Sequence, residues 1–419
     1  MFQTIEKLIN SNDEQYEIKL KGRIKLKIND VSTLNIGHNH LKSLIKIKKS
    51  NIVIDGSDAI IDIEVENSLS SDYCIFYLSK EVENVEMRNL KIIVNINNPT
   101  NTTRKIILIY NESFGLKINN CNFKMISKKQ INLFGVYNCA QIATQLETKS
   151  DNLVINNSHI SVSCIADYYD KDCITYGVYN YLSNSIIITN SYIYSINSGN
   201  GDNQKSIGIY TSGRYGRFIG NNIKANGSYS EGLIKEKTTA IGFLNEGICS
   251  LINSNNIVGE WGGKAIGIIN KGENSIINSN KVLSTHTIIG RSIINQGNKT
   301  IINNNMIIST SRNARLIELQ ASNCTISNNR LEVLLPQNEC QSGCGIYAAF
   351  DNNVENLISQ NTIVNVATCG IFINKNIGAI LNNQIYSLSN ILKQGDKDNI
   401  KISQILDESN IHSILKGGM

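Results

Sequence analysis

Two arginines and a glutamate in neighbouring copies of a repeat have side chains suited to chemistry. Arg291 and Arg315 occupy one position of successive copies, and Glu318 follows Arg315 by three residues. The neighbouring copies carry apolar residues at that position: Ile207, Ile241, Ile266, Cys344 and Cys369. Stacked guanidinium groups repel each other and need an anion nearby. The pattern therefore predicts either a structural ion pair with Glu318 or a site for a carboxylated or sulfated substrate. In such a site the arginines would neutralise charge, and Glu318 would act as acid or base.

Further acidic residues precede several copies of the repeat. Asp202 and Glu231 are catalytic candidates, because carboxylates from loops on one side of the fold could converge and carry out glycosidic chemistry. The alternative for each is a solvated loop residue. Asp167, Asp170 and Asp172 form the densest acidic cluster and could ligate calcium, although they do not follow the EF-hand pattern.

A column of mostly aromatic residues shares another position of the repeat. Tyrosine offers an apolar face and a hydroxyl, which suits stacking on sugars, so Tyr179, Tyr210 and Tyr347 are predicted to bind substrate. His286, just ahead of Arg291, joins them. Glycine two residues earlier in most copies predicts a low platform that another surface can approach. Three successive aliphatic residues favour the alternative, in which loops, a cap or a second subunit cover the column. In chain order the column is Tyr77, Tyr110, Tyr137, Tyr179, Tyr210, Leu244, Ile269, Ile294, Glu318, Tyr347 and Phe372.

The elements that position these residues follow from the repeat itself. Each copy closes on an apolar residue after an Asn-rich step, and in most copies the column residue lies thirteen positions before that closing residue. Length varies almost only outside this frame, which is typical of stacked coils about 4.8 Å apart with variable loops. The residue before the column is always apolar, so it is predicted to point inward, and the Asn steps are predicted to form turns. The closing residues are Leu90, Phe123, Ile160, Ile193, Ile223, Ile257, Val282, Ile307, Leu331, Ile363 and Ile385.

These observations predict an all-β chain: a right-handed parallel β-helix of about eleven or more coils over residues 1–395. The open ends of such a stack need covers. An amphipathic pattern over Thr4–Asp13 predicts a short N-terminal capping helix, and residues 396–419 form a C-terminal cap or tail, with Ile400–Leu415 as the covering segment.

Composition narrows the range of partners. The net charge of +5 comes without a basic arm, so no nucleic-acid partner is expected. No apolar run reaches the length of a membrane span, and the start lacks a signal-peptide layout. The ten cysteines are scattered without a CxxC motif, and the five histidines are dispersed. We therefore expect no cofactor beyond the possible calcium, and a cytoplasmic protein or one exported without a recognisable signal.

The opening helix, the Ile52–Gly56 step and the Asn-closed copies resemble the pectin lyase-like superfamily of right-handed parallel β-helices. The resemblance implies a groove along one sheet where an oligo- or polysaccharide lies, and lyase, hydrolase or intramolecular transferase chemistry there. The superfamily also includes non-catalytic binding proteins. The alternative is therefore a protein that binds glycan or protein or that self-assembles, as a trimer if it is an oligomer. The motifs of polygalacturonases, alginate epimerases and calcium-dependent pectate lyases are not found, so no catalytic residue is carried over.

Overall fold

The structure is a computed structural model of the chain. It describes residues 2–10, 16–28, 34–35, 41–65, 72–97, 105–139, 153–165, 172–198, 204–227, 238–335, 342–352, 354–366, 369–374, 377–387, 391–393 and 411–412. The chain divides into a first unit, Met1–Arg217 with Asn221–Ser228, and a second unit, Phe218–Gly220 with Tyr229–Met419.

The first unit contains the helix α1 and a series of strands. Their bounds are α1 (Phe2–Asn10), β1 (Glu17–Ile28), β2 (Leu34–Asn35), β3 (Lys42–Ile47), β4 (Ile52–Val65), β5 (Tyr73–Leu78), β6 (Val85–Arg88), β7 (Lys91–Ile96), β8 (Lys105–Asn111), β9 (Lys117–Asn119), β10 (Asn122–Ser127), β11 (Asn132–Cys139), β12 (Val154–Asn156), β13 (His159–Cys164), β14 (Ile174–Tyr181), β15 (Ile187–Thr189), β16 (Tyr192–Asn197), β17 (Lys205–Thr211), β18 (Arg217–Ile219, which includes residues of both units) and β19 (Asn222–Asn226).

The second unit continues the same order of strands. Their bounds are β20 (Thr239–Asn245), β21 (Leu251–Asn253), β22 (Asn256–Glu260), β23 (Lys264–Asn270), β24 (Ile276–Asn278), β25 (Lys281–Thr285), β26 (Ile289–Asn295), β27 (Ile301–Asn303), β28 (Met306–Ser309), β29 (Asn313–Leu319), β30 (Thr325–Ser327), β31 (Arg330–Val333), β32 (Ser342–Ala348), β33 (Asn356–Ser359), β34 (Thr362–Val366), β35 (Cys369–Ile373), β36 (Gly378–Leu381), β37 (Gln384–Ser387), β38 (Ile391–Lys393) and β39 (Ile411–His412).

Each regular coil has a short strand, a medium strand and a long strand, and each strand pairs in parallel with its equivalent in the next coil. In the second unit, the short strand β24 pairs with β27, the medium strand β25 with β28 and the long strand β26 with β29. Parallel pairing in fixed register is what the constant frame predicts, because a shift of one residue would turn every side chain to the other face. The predicted parallel β-helix is confirmed.

The predicted ladder of closing residues lies on the medium strands. Val282 pairs with Ile257 and Ile307, and all three are fully buried. Phe123 pairs with Ile160 on one side, but on the other it pairs with Ile92 rather than with Leu90. The choice of Leu90 was wrong. Leu90 follows the left-handed residue Asn89, as Cys121 follows Asn120, so it is a buried turn residue.

The residues before the column point inward as predicted. Ile268, Ile293 and Ile317 pair in sequence, and none is exposed. The predicted glycine platform is wrong, because a Cβ on Gly267 or Gly345 would strike the inward side chain of Val282 or Ile363. The long strand thus turns two successive residues toward the core, and in these two coils glycine leaves room for the medium strand opposite, whereas Leu316 is buried at the same position of another coil.

The Asn steps form the predicted turns. Ser279, Asn304 and Asn328 have φ near +56°, a left-handed conformation that Asn tolerates well. The asparagine after each left-handed residue is buried, and its amide donates to the next coil. Asn280 donates to Asn305 over 3.0 Å, and Asn305 donates to Asn329 over 2.9 Å. These ladders satisfy polar groups that burial would otherwise leave unpaired.

The helix α1 covers the start of the first unit. Ile5 and Ile9 are buried, and Leu8 is exposed on the other side, which matches the predicted amphipathic cap. The amide of Asn10 donates to the carbonyl of Lys46 at the end of β3 over 2.8 Å, which joins the helix to that strand. Of the predicted C-terminal covering segment, all but β39 lies outside the described residues.

Candidate functional site

A buried ion-pair network lies on the outward face of the long strands of the second unit. Arg291 Nε donates to Glu318 Oε2 over 2.9 Å, and Arg315 Nη1 donates to the same oxygen over 3.1 Å. The side chains of Arg291 and Glu318 are only 10% and 13% exposed, and that of Arg315 is 30% exposed. The structure therefore brings together the three residues that the sequence singles out.

The register of the sheet explains why they meet. Arg291 pairs with Ile266 on one side and with Arg315 on the other, while Glu318 follows Ile294 in the column. On the long strand, the position that is glycine in most coils and the residue after it both point inward. A residue and the one three positions later therefore both face outward. The carboxylate thus lies between the two guanidinium groups and offsets their repulsion.

Additional hydrogen bonds hold the network in place. Arg291 Nη1 donates to the carbonyl of Gly290 over 2.8 Å and to that of Asn313 over 3.1 Å. Glu318 Oε1 accepts a hydrogen bond from the amide of Gln320 over 2.6 Å. Both oxygens of Glu318 are therefore engaged, and the carboxylate is arranged to hold cations.

Aromatic rings continue this face along the next coils. The guanidinium of Arg315 lies 3.5 Å from the ring centre of Tyr347, a cation–π contact. The rings of Tyr347 and Phe372 stack at 4.7 Å with an angle of 6°. Tyr347, predicted to bind substrate, thus borders the charged network.

Positive charge exceeds negative charge on this face. The strands β20, β23, β26, β29, β32 and β35 contain three cations, Lys264, Arg291 and Arg315, and one carboxylate, Glu318. Burial, followed by the charge of Arg291, lowers the pKa of Lys264. Burial, followed by the charge of Arg315, lowers the pKa of Arg291. Burial is the larger cause of both lowered pKa values and repulsion between the cations is the second, and a bound anion would relieve that repulsion.

A stacked aromatic pair precedes these long strands. The rings of Trp261 and His286 stack at 4.3 Å with an angle of 17°, and His286 is exposed. Both residues have positive φ, near 56° and 53°. Bulky residues rarely adopt this conformation, and such strain is frequent at functional sites. Sequence reasoning missed Trp261 and Lys264. The available signal for Trp261 was its spacing, since Trp261 and His286 are aromatic residues 25 positions apart in two successive copies.

The first unit carries the aromatic part of the column. Tyr179 and Tyr210 stack at 4.6 Å with an angle of 13°, and Tyr137 lies 4.7 Å from Tyr179. Phe134 and Tyr176 add a second row, with ring centres 4.9 Å apart. Tyr210 is buried, while Tyr137 and Tyr179 are half-buried. Tyr179 and Tyr210 are thus part of a packed aromatic array in the first unit.

A buried carboxylate that sequence reasoning also missed anchors this array. Glu112 is 4% exposed and accepts hydrogen bonds from the hydroxyl groups of Tyr77 and Tyr110, over 2.8 Å and 3.1 Å. Burial, followed by the hydrogen bond to Glu112, raises the pKa of Tyr77. Its position two residues after Tyr110 gave little periodic signal, since among the other copies only Glu246, two residues after Leu244, is also a glutamate.

Some predicted residues lie outside the described part of the chain. Asp202 and Glu231 are among them, so their catalytic roles stay predictions. Asp167 and Asp170 are outside as well, and Asp172 is an exposed residue. Within the described ranges, no three His, Cys, Asp or Glu side chains are grouped as a metal site would require. No helix in the described part of the chain is long and apolar enough to cross a membrane.

Comparison with known proteins identifies the fold. No protein-family model matches the sequence, and no curated protein matches it. Among solved structures, the tailspike protein of E. coli bacteriophage HK620, in complex with pentasaccharide, aligns over 95% of this chain and 76% of its own, with 11% identity and a TM-score of 0.55. The A-module of the Azotobacter vinelandii mannuronan C-5 epimerase AlgE6 aligns over 99% and 96%, with 11% identity and a TM-score of 0.46. The periplasmic alginate epimerase AlgG aligns over 93% and 88%, with 11% identity and a TM-score of 0.41. The tailspike match confirms that this chain has the right-handed parallel β-helix fold, as its resemblance to the pectin lyase-like superfamily implies.

Proposed function

We propose that the protein binds an acidic oligo- or polysaccharide on the long-strand face of the second unit. The observation that carries the proposal is the excess of half-buried cations there: Lys264, Arg291 and Arg315 share one carboxylate, Glu318. Cations that repel one another at low exposure attract an anion more strongly than cations in open water do.

The aromatic neighbours favour a saccharide among anionic ligands. Tyr347 and Phe372 are stacked beside Arg315, and they add apolar ring surface and a hydroxyl group next to the cations, which suits a sugar. Within the described part of the chain, Arg315 donates to Glu318 alone, and a guanidinium has five N–H donors. Further donors therefore remain to hold a carboxylate or a sulfate. The tailspike that shares the fold was solved with a pentasaccharide, which favours the same ligand class.

Glu318 would position the arginines in this proposal. Its two oxygens accept hydrogen bonds from Arg291, Arg315 and Gln320. Both oxygens of Glu318 are thus already engaged as acceptors within the protein, which favours a positioning role over contact with a leaving group. Asp202 and Glu231 remain candidates for catalytic acids.

A glycan array tests the proposal. We expect the parent protein to bind carboxylated or sulfated glycans and to ignore their neutral counterparts. The Arg315→Met variant should bind about tenfold more weakly, since it loses a charge-assisted hydrogen bond. Arg330→Met is the matched control, because Arg330 is an exposed arginine paired with Glu332 on a medium strand. Equal binding by parent and Arg315→Met, or a preference for neutral glycans, would refute the proposal.

A second candidate function is lyase chemistry on an acidic polysaccharide. The observation that favours it is the place of Lys264, a half-buried amine on the same face as Arg291 and Arg315. Burial lowers the pKa of Lys264, so its amine is a better general base than that of an exposed lysine. Arg291 and Arg315 would neutralise the uronate carboxylate while Lys264 removes the proton on the carbon next to that carboxylate. The electrons of that C–H bond would form a carbon–carbon double bond as the glycosidic C–O bond breaks, and the leaving oxygen would take a proton from water. Ultraviolet absorbance of the unsaturated product should rise with the parent and not with Lys264→Met. Binding without any such product would leave the non-catalytic function alone.

A further inference from the structure

The medium strands of the first unit present a second surface, made of residues other than those of the long-strand face. One outward ladder runs through Lys25, Asp62, Ile93, Lys124, Ser161, Tyr194 and Lys224, each paired with the next. Neighbouring members of the ladder are about 4.8 Å apart, which is comparable with the length of a sugar ring. The ladder therefore gives a regular track across the coils.

A cavity lies at one end of this track. It has a volume of about 430 Å³, and its lining includes Arg23, Lys25, Lys27, Asp62 and Glu64. Arg23 pairs with Asp62, and Lys27 pairs with Glu64 over 3.8 Å, so Lys25 adds a positive charge that these two acids do not match. The volume falls in the range of small-molecule sites.

The rest of the track is cationic and aromatic. The strands β10, β13, β16 and β19 carry Lys124, Lys224 and His159, and contain no Asp or Glu. The ring of Tyr192 lies 4.7 Å from that of His159, in an edge-on arrangement, and 6.1 Å from that of Tyr194.

Small hydroxyl side chains line the middle of the track. Ser161 and Ser163 are 9% and 5% exposed, so they are recessed between larger neighbours. Lys124 and His159 on either side are exposed. The surface thus offers a recess with hydroxyl groups, bordered by rings and positive charge.

We propose that this face, formed by β1, β4, β7, β10, β13, β16 and β19, is a second binding site for an acidic oligosaccharide. One sugar occupies the cavity beside Lys25, and the chain continues over Lys124, Ser161 and Tyr194. The lysines bind the acidic groups, the rings pack on sugar faces, and the recessed hydroxyl groups bond to sugar hydroxyls. The site shares its ligand class with the proposed function and shares none of its residues.

A nucleic acid fits this surface less well. A phosphate backbone carries a charge on every nucleotide, and proteins that bind it line their grooves with many cations. Between the cavity and β19, the ladder offers two lysines separated by Ser161 and Tyr194. Widely spaced charges with hydroxyl groups between them suit a glycan whose acidic units are spaced apart.

Calorimetric titration of the full chain with a heparin-derived tetrasaccharide tests the site. We expect two sites in the parent protein. The Lys124→Met/Tyr194→Ala variant should weaken binding at one of them about tenfold or more, and should leave unchanged the site that Arg315→Met weakens. Lys281→Met is the matched control, because Lys281 is an exposed lysine on the outward face of the medium strand β25.

The variants separate failure of this inference from failure of the proposed function. If Arg315→Met weakens all of the binding and the Lys124→Met/Tyr194→Ala variant weakens none of it, the second site is refuted and the proposed function stands. If the Lys124→Met/Tyr194→Ala variant weakens all of the binding and Arg315→Met weakens none of it, the proposed function is refuted and the second site stands. Lys124→Met/Tyr194→Phe keeps the ring that lies beside Tyr192, so the packing of this face is preserved. If this variant also loses the site, misfolding caused by a missing ring is not the reason for the loss. Tighter binding of a single-stranded oligonucleotide than of the tetrasaccharide to this face would overturn the assigned ligand class.

Discussion

The two units of the molecule use one position of the long strand for different chemistry. In the first unit the column holds Tyr137, Tyr179 and Tyr210, whose rings stack on one another and leave little polar surface. In the second unit the same column holds Glu318, and the position three residues earlier holds Arg291 and Arg315. The backbone pairing is the same in both units. The fold therefore determines the positions of the side chains, and the sequence determines their chemistry.

The difference shows how each unit satisfies a buried acid. Glu112 accepts hydrogen bonds from two tyrosine hydroxyls, which are neutral donors. Glu318 accepts hydrogen bonds from two arginines, which carry charge. A buried hydrogen bond between charged groups is stronger than one between neutral groups. Removal of one charged partner also costs more stability, because it leaves the other charge buried and unpaired. The second unit should therefore be the more sensitive to loss of its acid, and should respond to added anions.

The largest effect is expected from Glu318→Leu. The variant leaves Arg291 at low exposure next to Arg315 with no carboxylate between them, so unfolding free energy should fall by about 3–5 kcal/mol. Urea denaturation measures the change. Glu332→Leu is the control, since Glu332 pairs with the exposed Arg330 and should cost under about 1 kcal/mol. A cost for Glu318→Leu no larger than that of the control would contradict the comparison.

Glu112→Leu tests the first unit. The hydroxyl groups of Tyr77 and Tyr110 lose their acceptor in a buried setting, so unfolding free energy should fall by about 2–3 kcal/mol. Glu112→Gln keeps a carbonyl oxygen for these hydroxyls and should cost clearly less in the same urea experiment. If Gln and Leu cost the same, the hydrogen bonds to Tyr77 and Tyr110 are not what holds this carboxylate.

Asp55 in the first unit gives an acid-dependent effect. Burial alone would raise its pKa, but hydrogen bonds from Ser57, Asn89 and Arg88 outweigh burial and lower the pKa from 3.8 to about 2. A lowered carboxyl pKa stabilises the fold above the ordinary value, and this contribution is lost as pH falls from about 4 to about 2. Asp55→Asn should therefore cost about 1–2 kcal/mol at neutral pH. Denaturation curves between pH 5 and 2 should show that cost shrinking; a cost that stays constant would show that the charge is not responsible.

The smallest effect is expected from Lys264→Met, and its sign is opposite. Burial and the neighbouring arginines lower the pKa of Lys264, so its charge destabilises the fold at neutral pH. Its removal should raise unfolding free energy by about 0.5–1 kcal/mol. Because the folded pKa is below the ordinary value of 10.5, the penalty is relieved as pH rises toward that value. Thermal unfolding of parent and variant at pH 7 and pH 10 measures the gain in stability and its dependence on pH. A variant that is less stable than the parent at pH 7 would contradict an excess of positive charge on this face.

Much of the fold could be predicted because ladders repeat a residue type at each coil. Val282 and Ile307 follow Ile257 at a fixed spacing, and they pair as predicted. The Arg291–Glu318–Arg315 network was also within reach, since charged residues break an apolar ladder. Leu90 was misplaced by two residues because a turn residue and a strand residue can both be apolar and buried.

The rest depended on directions that a sequence does not encode. Glycine has no side chain, so alternation could not show that Gly267 faces the core against Val282. The stacking of Trp261 on His286 depends on two left-handed loop residues. Among the other copies only Glu246 shares the position of Glu112, so the repeat gave Glu112 little weight. These features follow from backbone geometry and neighbouring coils together.

Calorimetric titration of parent and Arg315→Met with acidic and neutral tetrasaccharides is the most direct test of the account. The parent should bind the acidic tetrasaccharide with an affinity that falls as salt is added, because the site works by charge. Arg315→Met should lose about tenfold in affinity at the second unit, Arg330→Met should match the parent, and the neutral tetrasaccharide should bind to none of them. Parent and Arg315→Met with the same affinity, or binding that salt does not weaken, would contradict the account.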